Sequence, residues 1–230
     1  MASLVCSRQR AYGSGGLIST NHRTRHRTPS WSSRGFCIAY PRDGFLVVGD
    51  EIIEIIETPM CWRSRYFESD AYRTLFKEYF AQGARRTSAP RPQLTDALFD
   101  KAYRVPNAGV PMRYIVIEFE PVFDAADFVR FGRGLFVIRS NVTNRGGIEW
   151  VRRNLDERGL RVHELPCICR QPMHIDSTFL PLALGKVLIN PDFLDIERLP
   201  RILQRWHVLV APRPDPLDDP VARIRCAARG

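Results

Sequence analysis

The sequence predicts an α/β chain assembled from a repeated strand–strand–helix–strand unit. Three observations predict it. Strands over 113–118 and 135–139 precede a helix over 148–157 and a strand over 160–165. The same order recurs as strands over 177–182 and 186–190, a helix over 195–206 and a strand over 207–211. An earlier, weaker copy consists of Phe45–Gly49, Glu51–Ile56, a helix over 66–80 and Arg86–Ala89. A unit of ~50 residues repeated in this way points to a modular α/β propeller and not to one continuous sheet.

Each element has a local reason. Phe45-Leu-Val-Val48 is β-rich and short. Phe67, Tyr72, Leu75, Phe76, Tyr79 and Phe80 recur at helical spacing, and Gly83 is placed to end that helix. Pro90 and Pro92 mark a loop. Arg113-Tyr-Ile-Val-Ile-Glu118 reads as a strand, and Asp124 to Gly132 as a turn leading to the next one. Asn144 is placed to cap the 148–157 helix, which Gly159 closes. Pro200 limits the first turn of the helix expected over 195–206.

The formal charge of +9 is confined to the ends. Six arginines and no acid lie between Met1 and Arg34, and six arginines against three aspartates between Arg201 and Gly230. The span from Gly35 to Pro200 is neutral, so it lacks the basic stripe of a nucleic-acid surface. No stretch approaches the ~20 unbroken apolar residues of a membrane helix. The six cysteines show no zinc-ligand spacing, since Cys167 and Cys169 are one residue apart with no second pair, so neither a metal site nor a disulfide framework is expected. The Arg- and Ser-rich start has the composition of an organellar transit peptide, interrupted by Gly13-Ser-Gly-Gly16.

Three polar sites sit at strand ends, where a sheet assembly opens. They are Pro41-Arg-Asp43, Phe123-Asp124-Ala-Ala-Asp127-Phe128 and Pro172-Met173-His174-Ile175-Asp176. Each also has a purely structural use available. Asp43 could cap a turn, Asp124 could N-cap the turn that follows it, and His174 could be a satisfied core histidine.

These motifs carry a resemblance. Together with Pro59-Met-Cys-Trp-Arg-Ser-Arg65, Glu120 to Phe128, Arg139-Ser-Asn-Val-Thr-Asn144 and Gly147-Ile-Glu-Trp150, they resemble, in order and near-constant spacing, the arginine-dependent amidinotransferases of the glycine and inosamine-phosphate type. The resemblance implies the pentein fold, a five-bladed α/β propeller, of which about three blades would be present. It implies transfer of an amidino group from L-arginine to an acceptor amine through an amidino-cysteine intermediate, without a cofactor. It makes Asp124 and His174 the catalytic pair, with His174 as general acid and base, and makes Asp43, Asp176 and Met173 substrate-binding. Carboxylates suit that task, because a guanidinium is planar, cationic and rich in N–H donors.

The resemblance also has gaps. The family nucleophile lies in a Gly-Gly-x-x-His-Cys context beyond the position of His174, and Cys226 in Arg223-Ile-Arg-Cys-Ala-Ala-Arg-Gly230 does not match it. Phe193 stands where glycine amidinotransferases place an arginine, which favours an aminocyclitol or other amine as acceptor. The expected organisation is therefore a non-native or disordered tail over 1–30, a partial catalytic domain over 31–219 and an aberrant Arg/Ala-rich tail over 220–230, with catalysis impaired. The alternatives are a non-catalytic guanidine-binding protein and a pentein-type arginine hydrolase. Expected partners are small molecules only, with no nucleic acid and no membrane, and homo-oligomerisation is left open. The expected location is cytoplasmic, or mitochondrial if the start is a transit peptide.

Overall fold

A computed structural model describes residues 25–34, 41–55 and 60–212. Three three-stranded sheets follow one another along the chain, with no closed barrel among the described residues. The tail expected over 220–230 lies outside these residues, as does most of that expected over 1–30. Within 25–34, β1 (Arg25–Arg27) pairs antiparallel with β2 (Ser32–Arg34).

The first unit begins with a short helix, α1 (Pro41–Gly44). It continues as β3 (Phe45–Val48) and β4 (Glu51–Glu54), a stretch of 3-10 helix over Met60–Tyr72, α2 (Arg73–Ala81) and β5 (Arg85–Ser88). The second comprises β6 (Phe128–Phe131), β7 (Gly134–Val137), α3 (Arg145–Asp156) and β8 (Arg161–Glu164). The third comprises β9 (Phe179–Ala183), β10 (Lys186–Ile189), two 3-10 turns (Ile196–Arg198 and Arg201–Leu203) and β11 (His207–Val210). In each unit the middle strand pairs antiparallel with the strand before it and parallel with the one after it. A parallel partner demands a crossover, and the intervening helical segment supplies it.

The alternation of side chains along a strand decides the packing. In the first unit Phe45 and Ile52 pack with Tyr72, at the N-cap of α2, and with Phe76 within it, the ring centroids of Phe45 and Phe76 lying 4.9 Å apart. The opposite face, with Leu46, Val48 and Ile53, joins one core with Leu135, Val137, Ile148, Val151 and Leu155 of the second unit. The second unit's outward face, centred on Phe136, in turn joins a core with Phe179, Val187, Ile189, Leu199 and Leu203 of the third. Each such fully buried large side chain contributes roughly 1.5–3 kcal/mol by leaving water. Arg158, just beyond α3, ties units one and two by bonding the Glu51 carboxylate and the Val48 carbonyl.

Gly147 makes this arrangement possible. A Cβ there would lie 2.2 Å from the Val122 carbonyl oxygen, so α3 can approach the 121–123 strap only without a side chain. Asn144 caps α3 as expected, its side chain accepting from Gly147 N at 2.9 Å.

Four expectations are corrected. The strand expected over 113–118 forms only an isolated bridge, Phe99 to Val116, because Asn141 Oδ1 takes the Ile115 N–H that a ladder would need. The first strand of that unit is instead Phe128–Phe131, inside the segment expected as a turn. The helix expected over 195–206 is two 3-10 turns, because Pro200 pushes Leu199 to an extended ψ of 147°. The helix expected over 66–80 becomes α-helical only at Arg73. Upstream of it, Ser69 spends its side chain on the buried Glu54 carboxylate.

Candidate active site

The site forms where the first and third units meet the turn that leads into the second. α1 packs against the 3-10 turn Ala125–Asp127, which brings Asp43 beside Asp124. Asp124 opens that turn, and its Oδ1 accepts from Ala126 N at 2.8 Å. The structural role anticipated for this residue is therefore filled by one oxygen only. The other, Oδ2, is fully buried, has no hydrogen-bond partner among the described residues and lies 3.4 Å from His174 Nε2. At that distance the contact is an ion pair and not a well-formed hydrogen bond.

His174 is held by its backbone. Its N–H donates to Asp127 Oδ1 at 2.8 Å, and the next N–H, of Ile175, donates to the Ala126 carbonyl at 3.0 Å. Between these anchors His174 has φ +59°, in the left-handed region that costs a non-glycine residue about 1 kcal/mol or more. Asp127 is itself locked, because its Oδ2 accepts from both Ser140 Oγ and Thr143 Oγ1. Thr143 Oγ1 also accepts from Asp124 N at 3.0 Å, so one hydroxyl serves both aspartates.

Of the five residues expected at the site, three converge. Ligand atoms of Asp43, Asp124 and His174 lie within 4.8 Å of one another. Asp176 is not part of that cluster, and its carboxylate pairs with Arg42 at 2.9 Å. Met173 is exposed. Asp43 already has a cationic neighbour, Arg65, at 3.2 Å, with both side chains buried. Asp127 was not singled out as a site residue. Its signal lay within the same motif: a second aspartate three residues after the first, with Ser140 and Thr143 at matching short spacing downstream. Phe193 is half-buried against the core between units two and three and brings no polar group to its position.

The charges are strongly coupled. Burial alone would push the His174 imidazole down, but the hydrogen-bonding and charge of Asp124, then the charges of Asp127 and Asp43, outweigh it and raise the ring to about 9. Burial and then the nearby Asp124 charge raise Asp43 above the usual carboxylate range, with His174 and Arg65 opposing. Burial and then Asp124 raise Asp127 to about 7. Two carboxylates and an imidazole this close could also hold a divalent cation. At neutral pH, however, such an ion would have to displace the proton that the ring retains, so the arrangement suits an organic cation better.

No cysteine belongs to the cluster among the described residues. Cys167 and Cys169 are free, and burial pushes the Cys167 thiol up to about 11, the opposite of an activated nucleophile. Cys226 lies outside the described residues.

The three successive strand–strand–helix–strand units, with an acid-rich site at their strand ends, define a pentein-type fold. No family model matches the chain. Its homologues are amidinotransferases. It is 44% identical over 194 residues to the L-arginine:L-lysine amidinotransferase of Pseudomonas savastanoi pv. phaseolicola, a match covering 84% of this chain and 52% of that protein. Among solved structures it resembles SxtG, an amidinotransferase of Microseira wollei, with TM-score 0.82 and 48% identity over 88% of this chain and 56% of that one. It also resembles the inosamine-phosphate amidinotransferase StrB1 of Streptomyces griseus, with TM-score 0.71 and 35% identity over 86% and 53%. The chain spans about half the length of the relatives it matches. No helix among the described residues is long and apolar enough to cross a membrane.

Proposed function

We propose that the cluster of Asp43, Asp124 and His174 is the guanidinium-binding and proton-handling half of an amidinotransferase site, with L-arginine as donor and an amine as acceptor. The convergence of two carboxylates and one imidazole within 4.8 Å carries this reading. The flat guanidinium would lie against Asp43, whose carboxylate Arg65 reaches at 3.2 Å, and against Oδ2 of Asp124, which has no hydrogen-bond partner among the described residues and lies 3.4 Å from His174 Nε2. Asp176, two residues from His174 and reached by Arg42, would hold a more distant part of the substrate.

The protonated imidazole fits a general acid. With a pKa near 9 it carries a proton at neutral pH and can deliver it to a departing alkylamine, then take one from the incoming amine. Asp124 would keep the ring aimed and charged. Amidino transfer also needs a thiolate to attack the guanidinium carbon. The Cys167 thiol is a poor candidate at its raised pKa. The thiolate for turnover would therefore come from outside the cluster's described residues, which bind the guanidinium and handle protons. An acceptor without a carboxylate fits the apolar Phe193 position better than glycine does.

Calorimetry of the purified chain tests this. Arginine is expected to bind, citrulline, which lacks the cationic guanidinium, to bind more weakly, and Asp43→Asn to weaken arginine by about tenfold or more. No binding, or binding indifferent to both changes, overturns the reading. Ornithine release from arginine that Cys167→Ala or Cys169→Ala abolishes overturns the statement that the thiolate comes from elsewhere.

A further inference from the structure

Arg42 and Asp43 are consecutive in α1, yet they reach different depths of the site. Asp43 is buried in the cluster, whereas the Arg42 side chain is 49% exposed. Arg42 is tied to both segments that carry the rest of the cluster. Its Nη1 donates at 2.9 Å to Oδ2 of Asp176, two residues past His174. Its Nη2 donates at 3.2 Å to the carbonyl of Phe128, the residue after Asp127. These bonds use two of the five N–H donors of a guanidinium, which leaves the others for a ligand. The pair with Asp176 is open to water on both sides, and an exposed ion pair is worth little, so a ligand can rearrange it without much loss.

A positive group is needed here on electrostatic grounds. Asp43, Asp124, Asp127 and Asp176 all lie at or beneath this rim, and they repel a ligand carboxylate that no cation receives. Two other arginines near the cluster are committed elsewhere. Arg65 is buried on Asp43, and Arg170, upstream of His174, is turned to the Val110 carbonyl at 2.8 Å. Phe193 brings no charge at all. The head of an α-amino acid carries a carboxylate and an ammonium side by side. The Arg42–Asp176 pair offers the two opposite charges side by side, and a guanidinium fork matches a carboxylate well.

We propose that Arg42 is a specificity-determining residue of the site, receiving the α-carboxylate of the donor while Asp176 turns to its α-ammonium. The chain thereby selects an intact α-amino acid over a simple alkylguanidine. This rests on the reading of Asp43, Asp124 and His174 as a guanidinium site, which holds the far end of the same molecule.

The test titrates the full chain with arginine and with agmatine, which is arginine without its carboxylate. Agmatine carries one more net positive charge, so the aspartates alone would favour it. The unaltered chain is expected to prefer arginine by about tenfold or more. Arg42→Met should abolish that preference by weakening arginine, while agmatine binds at least as tightly as before, which also shows that the variant is folded. Arg42→Lys should restore part of the preference. Asp43→Asn should weaken both ligands alike. The anchor is overturned if the unaltered chain prefers agmatine, or if the preference for arginine survives Arg42→Met, and sensitivity of both ligands to Asp43→Asn then leaves the guanidinium site standing. Binding of neither ligand, or binding indifferent to Asp43→Asn, overturns the guanidinium site and the anchor with it.

Discussion

The second and third units use the same strand order and register, yet they are held together differently. The second has a helix of 12 residues with a side-chain cap, and cores press on both faces of its sheet. The third has two short 3-10 turns divided by Pro200, and among the described residues only one face of its sheet joins a core. Strand pairing is alike in the two units, so burial from the neighbouring unit is expected to set their relative stability.

The comparison can be broken most strongly at Phe136. Phe136→Ala removes the ring that joins units two and three and should cost about 3–5 kcal/mol, read as a fall in the chemical-denaturation midpoint. A cost below ~1 kcal/mol would mean that the third unit is not packed on the second. Gly147→Ala should follow at about 3 kcal/mol, because its Cβ meets backbone that can yield only if α3 moves. An unchanged melting curve would remove α3 from its place against the 121–123 strap.

A pH series sharpens the part of the comparison that lies at the site. His174 is raised above its unfolded value of ~6.5 to about 9, so its ion pair with Asp124 stabilises the fold fully below pH ~6.5 and is lost as pH rises through 9. Asp127, raised to about 7, acts with the same sign lower down: the fold loses stability as pH climbs from ~4 to ~7. Together they predict a stability, and with it a melting temperature, that declines from pH 6 to pH 9.5, by up to roughly 3 kcal/mol for the His174 step. The His174 ring proton should titrate near 9 by NMR and move towards its ordinary range in Asp124→Asn. A midpoint near 6.5 in the unaltered chain would dissolve the proposed coupling. The smallest effect belongs to the third unit. Leu188→Ala should cost less than ~1 kcal/mol, far below Phe136→Ala at the matching position of its own middle strand.

Much of this was legible in the residues. The repeat, the Asn144 cap and the places of Asp43, Asp124 and His174 follow from local pattern and motif order. What was not legible depended on partners distant in sequence. Arg113–Glu118 has ideal strand composition, but a side chain at Asn141 claims a backbone donor there. Phe128–Phe131 looked like part of a turn until β7 paired with it. Asp176 looked like a third acid of the cluster, and only Arg42, 134 positions earlier, reveals another attachment.

The left-handed backbone at residue 174 has one further consequence. The imidazole is steered less by anything touching its ring than by a carboxylate beneath the main chain, that of Asp127. Severing that tether, for example with Asp127→Ala, would let the peptide relax to an ordinary conformation and swing the proton carrier out of register, and would also remove one of the charges that raise its ring. Precision at this position is thus inherited from a residue wholly buried beneath the rim.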